Sequence, residues 1–171
     1  NFNNNSAIGE SSTLAVDISK YGNNGTLHNG SQVCGDEPSC PHYVTGKFGK
    51  ALSFDGTDDY VQVPDSDQEL APDALTFTAW IKIHPGWNEY DRIVTKKGNL
   101  DWDATTGWSL EVNSGGIMTF LGSGGTIGDR LNMGWQENTW HFIAITKEAG
   151  ATIVKGYLDG EYKDSQTCDT I

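Results

Sequence analysis

The sequence has few basic residues, few cysteines and no long apolar run. Its 171 residues include 11 Lys and Arg against 23 Asp and Glu, for a net charge of −12. Phosphate binding needs clustered basic side chains, so the composition argues against nucleic acid and anionic membrane surfaces as partners. No apolar run approaches the roughly 20 residues that a membrane span needs, which argues against membrane insertion. The acidic excess agrees with two interpretations, solubility and binding of a hard cation such as calcium.

A helical hydrophobic period and a signal peptide are also missing. The chain begins with Asn rather than Met, so we expect a processed product or a piece excised from a larger protein. Its length suits one domain covering residues 1–171. Glycine is frequent, at 21 residues, and Gly and Asn recur at the short intervals that many turns require.

Cysteine is scarce, and two of the three cysteines lie close together. Cys34 and Cys40 bound a loop of turn-forming residues, VCGDEPSC, and we expect a local disulfide to close it. A zinc pair is the alternative, but it would need two more ligands, and His28 and His42 flank the loop at poor spacing. The pairing of Cys168 stays open between a partner beyond the chain and a free thiol.

Short alternating strands dominate the pattern. The clearest is LTFTAWIKI at residues 75–83, in which one face is apolar. Further strands are expected within residues 51–63, on either side of a turn at Asp55-Gly56, and at residues 92–95, 108–112, 117–121, 140–146, 152–158 and from 161 onward. Gly115-Gly116 and Asp159-Gly160 predict hairpin turns, and only residues 67–73 suggest a short helical turn. This spacing predicts an all-β fold, an antiparallel β-sandwich or jelly roll.

The six tryptophans fall into two groups. Trp80, Trp108 and Trp140 lie in strand patterns and are predicted to be core residues. Trp87, Trp102 and Trp135 lie in polar or glycine-rich loops, HPGWNEYD, NLDWDATTG and NMGWQEN. Exposed aromatics on loops above a rigid sheet can stack on sugar rings, with Asn88, Tyr90 and Asp91 as neighbouring polar contacts. The alternative is that these indoles plug the ends of the sandwich.

Five segments, after an initial FNNN, occur in an order that resembles the laminin-G-like, concanavalin A-like jelly-roll modules of large surface proteins. They are VDISKYGNNGTLHNG, GKFGKALSFDGTDDYVQVPDS, LTFTAWIK, WHFIAITK and KGYLDGEY. The resemblance spans nearly the whole chain. The family's final strand, with a Gly, an Asp and an aromatic, has no counterpart, so the resemblance implies a domain that lacks its last strand.

The same resemblance implies a structural calcium ion between the N-terminal turn and the far end of the chain. It points to Asp17 as the side-chain ligand and to carbonyls of the loop with Tyr21, Asn23 and Asn24. The family's C-terminal carboxylate has no counterpart here. Further acidic residues are Asp55, Asp58 and Asp59. In the alternative interpretation, Asp17 is an Asx-turn residue and Asp58-Asp59 form a solvated turn.

The fold also hosts glycoside hydrolases, which need two carboxyl groups about 5 to 10 Å apart. Sandwich hydrolases of this type carry them as Glu-X-Asp-X-X-Glu. That pattern begins here at Glu89 and Asp91 but ends in Val94, and Glu111 has no partner carboxylate nearby in the sequence. The chain is therefore not expected to be an enzyme.

These observations predict a non-catalytic, extracellular carbohydrate-binding or adhesion module, stabilised by calcium, whose partner is a glycan or a surface protein. One alternative is a structural subunit or decoration of an extracellular filament or surface layer that self-assembles through an open sheet edge. A second alternative is a protein–protein recognition domain that acts through its loops.

Overall fold

The computed structural model describes residues 2, 4–35, 38–64, 74–89, 91–97, 107–114, 116–121 and 130–167. Within these ranges the regular elements are one short 3-10 helix, Ser6–Ile8, and β-strands that pair antiparallel. The predicted all-β, antiparallel class is confirmed. The predicted helical turn at residues 67–73 lies outside the described residues. The chain divides into two compact units, Asn1–Asp67 and Gln68–Ile171, which are taken in turn.

In the first unit, six short strands lie within the described ranges. They are β1 (Leu14–Ala15), β2 (Gly25–Asn29), β3 (Gln32–Val33), β4 (His42–Thr45), β5 (Lys50–Ser53) and β6 (Asp59–Gln62). Strand β2 is the centre of one sheet, since it pairs with β1, β3 and β6, while β4 and β5 form a separate hairpin. Gly25, Leu27 and His28 of β2 are buried, and the other two residues of the strand are partly buried.

The core of the first unit surrounds a disulfide. Cys34 and Cys40 are bonded, with 5.8 Å between their Cα atoms, and both are buried beside Leu27. The structure thus contains the predicted disulfide and not the zinc pair. Val61 packs against this cluster from β6, and a Cβ at Gly25 would collide with its side chain. Glycine at 25 therefore lets the two paired backbones approach.

The described residues of the second unit form eight strands. They are β7 (Leu75–Ile81), β8 (Arg92–Lys97), β9 (Gly107–Asn113), β10 (Gly116–Leu121), β11 (Arg130–Leu131), β12 (His141–Lys147), β13 (Ile153–Leu158) and β14 (Glu161–Thr167). They form two four-stranded sheets, in the orders β11-β10-β9-β8 and β14-β13-β12-β7. The expected hairpin is present as the β9–β10 pair, but Gly116 pairs with Asn113 and is the first residue of β10 rather than part of the turn.

One apolar cluster fills the second unit. Its buried members come from strands of both sheets and, in the case of Met133, from the segment after β11: Leu110, Leu131, Met133, Ile143, Ile145, Val154 and Leu158. The two sheets therefore pack face to face, which is the sandwich arrangement predicted. Met133 closes over Gly156, where a Cβ would lie 2.5 Å from its sulfur. This contact holds the chain segment that follows β11.

The tryptophans predicted to be core residues differ in their burial. Trp108 is buried, and Trp140 is partly buried, with Lys82 Nζ 5.9 Å from its ring centroid. Trp80 is 39% exposed, so the prediction of a core position was wrong for this residue. The opposite face of its strand carries Phe77, Ala79 and Ile81, which pack against the core. Trp80 instead lies against Phe142 across the strand pair, with the ring centroids 5.5 Å apart.

The β13–β14 hairpin has the turn that its sequence predicts. Asp159 and Gly160 have φ values of 54° and 86°, as a type I′ turn requires. Tyr157 and Tyr162 pair across the strands at 5.8 Å in an edge-to-face arrangement, which confirms the expected cross-strand contact.

Candidate functional site

A polar cavity of 540 Å³ opens at one end of the second unit. Its wall comes from three separate segments: the loop after β7, the β9–β10 turn and the segment after β11. The lining residues are Trp87, Ser114, Gly116, Asn132, Gly134, Trp135 and Glu137. Because none of these segments is adjacent in sequence to another, the cavity exists only in the folded sandwich.

Two tryptophans form the aromatic part of this wall. The Trp87 and Trp135 rings lie 5.1 Å apart at 77°, an edge-to-face pair, and both are partly buried. Trp87 donates its Nε1–H to Glu137 Oε1 at 3.0 Å. The contact fixes one indole and orients the carboxylate, which keeps its second oxygen as a further hydrogen-bond acceptor.

The loop that carries Trp87 is held by two acidic side chains. Asp91 Oδ2 accepts from the Asn88 N–H at 2.7 Å, and the Asp91 carbonyl accepts from Val112 N–H at 2.8 Å. Glu89 Oε1 accepts from Ser114 N–H at 2.9 Å and so ties the loop to the β9–β10 turn. Asn88, Glu89 and Asp91 therefore position the wall, and the two carboxylates that begin the hydrolase-like pattern serve loop structure.

The segment after β11 is anchored at both ends. Asn132 donates its N–H to Asp164 Oδ2 at 2.9 Å, which lowers the pKa of Asp164. The Asn138 N–H donates to the Ile83 carbonyl at 2.9 Å. Gly116 lies beneath this segment, and a Cβ there would stand 2.9 Å from backbone atoms of Leu131 and Met133. The glycine therefore allows the turn and the segment to touch.

The structure brings together two of the six residues predicted for sugar contact. Trp87 and Trp135 share the cavity, while Asn88 and Asp91 lie in the adjacent loop, and Tyr90 and Trp102 lie outside the described residues. Sequence reasoning missed three polar lining residues, Ser114, Asn132 and Glu137. For Asn132 and Glu137, the one feature of the sequence that could have indicated a role was their proximity to Trp135 in NMGWQEN.

Asp17, the predicted calcium ligand in the first unit, forms hydrogen bonds with residues of its own loop. Its Oδ1 accepts from Ser19 N–H at 2.8 Å, and its Oδ2 accepts from the Ser19 hydroxyl at 2.7 Å and Asn23 N–H at 2.8 Å. The Asp17 N–H donates to Asn24 Oδ1 at 2.8 Å. The Ser19 hydroxyl is the largest cause that lowers the pKa of Asp17. Calcium binding by Asp17, Tyr21, Asn23 and Asn24 stays a prediction.

A second acidic group in the same unit lies around the turn before β6. Carboxylate oxygens of Asp55, Asp58 and Asp59 lie within 4.8 Å of one another. Asp55 Oδ1 accepts from Thr57 N–H at 2.8 Å, and Asp59 Oδ2 accepts from Asp55 N–H at 3.0 Å. The Asp59 Oδ1 atom is buried without a hydrogen-bond partner. Burial, followed by the nearby Asp55 and Asp58 charges, raises the pKa of Asp59.

Residues 55–170 match the family model of the concanavalin A-like lectin/glucanase superfamily. The chain therefore belongs to this superfamily, in agreement with the resemblance in its sequence. The structure is also similar to domain 4 of AbnA, a GH43 extracellular arabinanase from Geobacillus stearothermophilus, solved in complex with arabinotriose. The two share 22% identity with a TM-score of 0.57, and the match covers 84% of this chain and 65% of that one.

The AbnA similarity, at this level of identity, establishes the fold. No curated protein matches the chain. Within the described ranges there is no helix long and apolar enough to cross a membrane.

Proposed function

We propose that this chain is a non-catalytic carbohydrate-binding module and that its binding site is the cavity of the second unit. The observation that carries the proposal is the pair of partly buried tryptophans, Trp87 and Trp135, in the wall of a polar cavity. Sugar rings have apolar C–H faces and polar edges. A site that offers indole surface beside hydrogen-bonding groups matches both.

Three polar side chains accompany the indoles and suit the recognition of hydroxyl groups. Glu137 has an acceptor oxygen beyond the one that binds Trp87, and Ser114 and Asn132 add groups that both donate and accept. None of the described lining residues is basic. Together with the net charge of −12, this favours neutral sugars over uronates, because a sugar carboxylate would meet Glu137 without a compensating cation.

The fold neighbour suggests the first sugar to test. Domain 4 of AbnA was solved with arabinotriose, a neutral oligosaccharide. This chain spans only 65% of the length of that domain. That the two bind the same ligand is therefore a proposal. Arabinotriose and other neutral oligosaccharides are accordingly the first probes.

An extracellular location and a role without catalysis belong to the same proposal. Disulfides persist in oxidising compartments, and the Cys34–Cys40 bond supports a secreted or surface module. The acidic residues at the start of the hydrolase-like pattern, Glu89 and Asp91, accept backbone hydrogen bonds in the loop. A hydrolase would instead use a pair of carboxyl groups that flank the scissile bond.

We further propose calcium as a structural cofactor, held in the first unit by the Asp55, Asp58 and Asp59 carboxylates. Calcium prefers six to eight oxygen ligands, several of them carboxylates. The buried Asp59 Oδ1 would coordinate a cation at this turn, and the cation would offset the repulsion among the three carboxylate charges. The Asp17 loop is the less favoured alternative, since both of its carboxylate oxygens already accept hydrogen bonds.

A glycan array followed by calorimetry with Trp135→Ala tests the binding proposal. Loss of a stacking indole should weaken affinity by about fivefold or more, since aromatic contacts at the centre of a site contribute about 1 to 3 kcal/mol. Trp80→Ala is the matched control, because it removes an indole that packs on Phe142 outside the cavity. Equal affinity in the two variants, or no binding by the native protein to any glycan, would refute the site.

Self-assembly through a sheet edge and recognition of a protein partner stay predictions. Light scattering at increasing concentration, with and without calcium, tests the first, and a strictly monomeric chain would count against it. A protein partner in the absence of any glycan hit would favour the second.

A further inference from the structure

His141 links the cavity wall to the β13–β14 turn through its two ring nitrogens. Nδ1 lies 2.8 Å from Asp159 Oδ2. Nε2 accepts a hydrogen bond from the backbone N–H of Gln136 at 3.2 Å. An accepting nitrogen carries no proton, so the proton of the neutral ring lies on Nδ1 and is donated to Asp159. These two contacts together define one tautomer.

Gln136 is placed where a small shift would reach the cavity. It stands between Trp135 and Glu137, which both line that cavity. The His141 side chain is only 12% exposed, and its strand is hydrogen-bonded to β7 on one side and β13 on the other. The imidazole is thus a fixed point in a central strand against which the loop segment is held.

We propose that His141 is a positioning residue for the cavity: its neutral, Nδ1-protonated ring holds Trp135 and Glu137 in place through Gln136, and protonation of Nε2 releases them. The consequence for sugar affinity rests on the proposed function. The consequence for the shape of the cavity does not, and it is measurable without a sugar.

Protonation changes the contact from attractive to repulsive. A proton on Nε2 points at the Gln136 N–H, so two donors face each other and the backbone group loses its partner. An unmade hydrogen bond of this kind corresponds to about a five- to tenfold change in an equilibrium. Histidine is the side chain whose charge ordinarily changes between about pH 5 and 8, so the pH is the variable that tests the release.

Several charged groups lie around the His141 ring. Asp159 faces Nδ1, and the hydrogen bond to His141 is the largest cause that lowers the pKa of Asp159. Lys163, which also acts on Asp159, opposes a positive ring and is paired with Glu161 at 2.7 Å. Lys82 lies over the Trp140 ring, and Glu137 is on the segment that moves. The Gln136 N–H is the contact whose sign reverses with the ring proton.

Two substitutions separate the positioning role from a merely structural one. His141→Gln can place a carbonyl oxygen where Nε2 accepts, and this amide does not titrate. Asp159→Asn keeps an acceptor for the Phe142 N–H and suits the φ of 54°, but its NH₂ group then faces Nδ1. The ring must then accept at Nδ1 and carry its proton on Nε2, against Gln136.

The first measurement is an NMR titration of the free protein that follows the His141 ring nitrogens, the Gln136 amide and the Trp87 and Trp135 indole N–H signals. We expect the Nδ1–H tautomer near neutral pH and movement of the Gln136 and indole signals together with His141 protonation. In His141→Gln these signals should stay constant from about pH 8 to about pH 5.5. In Asp159→Asn they should resemble the acid form at every pH. Signals that ignore His141 protonation, or an Nε2–H tautomer in the native protein, would overturn the inference.

The second measurement is calorimetry with arabinotriose over the same pH range. Native affinity should fall about five- to tenfold on acidification, His141→Gln should remove that dependence, and Asp159→Asn should bind weakly throughout. A flat native profile with measurable binding counts against the inference. If no sugar binds at any pH while the indole signals still follow His141, the sugar-binding proposal fails and the positioning role stands.

Discussion

Glu137 is the charged residue among the described side chains that line the cavity, and its substitution tests the preference for neutral sugars. Glu137→Gln keeps an oxygen that can accept the Trp87 Nε1–H but removes the charge. We expect a two- to tenfold loss of affinity for a neutral oligosaccharide, about the contribution of a charge-assisted hydrogen bond, and a gain for a uronate oligosaccharide. Calorimetry with an arabinan and a galacturonan fragment measures both. An equal loss of affinity for both ligands would mean that the Glu137 charge does not discriminate between neutral sugars and uronates.

Asp59 gives a test of the calcium proposal with a definite sign. Its pKa is raised in the folded protein, so the ionised carboxylate disfavours the fold, and this penalty develops as pH rises through the unfolded pKa and is complete above the folded pKa. Asp59→Asn removes the charge and keeps an acceptor for Asp55 N–H. At neutral pH in chelator we expect the variant to have the higher Tm.

Calcium should reverse that order, because the ion stabilises the native protein and binds the variant more weakly. Asp17→Asn is the control that distinguishes the other acidic loop. If calcium raises the Tm of the Asp59 variant as much as that of the native protein, while Asp17→Asn abolishes the rise, the site belongs to Asp17.

The β13–β14 hairpin is the element whose turn chemistry is clearest. Gly160 has a φ of 86°, which a side chain disfavours, so Gly160→Ala should lower the free energy of unfolding by about 1 to 2 kcal/mol. Glu161→Ala changes the next residue, where only an exposed ion pair with Lys163 is lost. That control should lie within about 0.5 kcal/mol of the native value. Urea unfolding of the two variants makes the comparison, and equal midpoints would contradict the turn assignment.

The strands of the second unit were largely predictable because they are long and alternate. β7, β9, β12 and β13 each run for six or seven residues, and the expected ranges differ from the observed ones by one or two residues at an end. In the first unit, β1 and β3 have two residues each. A two-residue strand has no period to detect, and it exists because β2 offers backbone partners.

The cavity was predictable only in its aromatic part. A tryptophan in a polar loop is a local signal, and it pointed to Trp87 and Trp135. Ser114 carries no such signal, since serine is an ordinary turn residue, and Asn132 has only its proximity to Trp135 in the sequence. They reach the site because Glu89 and Asp164 bind the two backbone segments. Contacts of that kind depend on the packing of the two sheets, which no sequence pattern specifies.

At the scale of the whole molecule, acid should destabilise both units. Hydrogen bonds lower the pKa of Asp55 through Thr57, of Asp159 through His141 and of Asp164 through Asn132. A depressed pKa contributes stability that is present above the unfolded value and is lost as pH falls through the folded one. We therefore expect the urea midpoint to be steady near neutral pH and to fall below about pH 4. A midpoint that rises in this range would contradict these contacts.

The edge-to-face pair of Trp87 and Trp135 also has an optical consequence. Two indoles with ring centroids 5.1 Å apart are close enough for their electronic transitions to couple, and the strength of that coupling depends on their mutual angle. The far-ultraviolet circular dichroism of the protein, where the strong indole transition lies, should therefore carry a paired signal of opposite signs that either single Trp→Phe substitution abolishes. A molecule that slides between or over the rings would change this signal directly, so the cavity contains its own chromophore for following occupancy without a label.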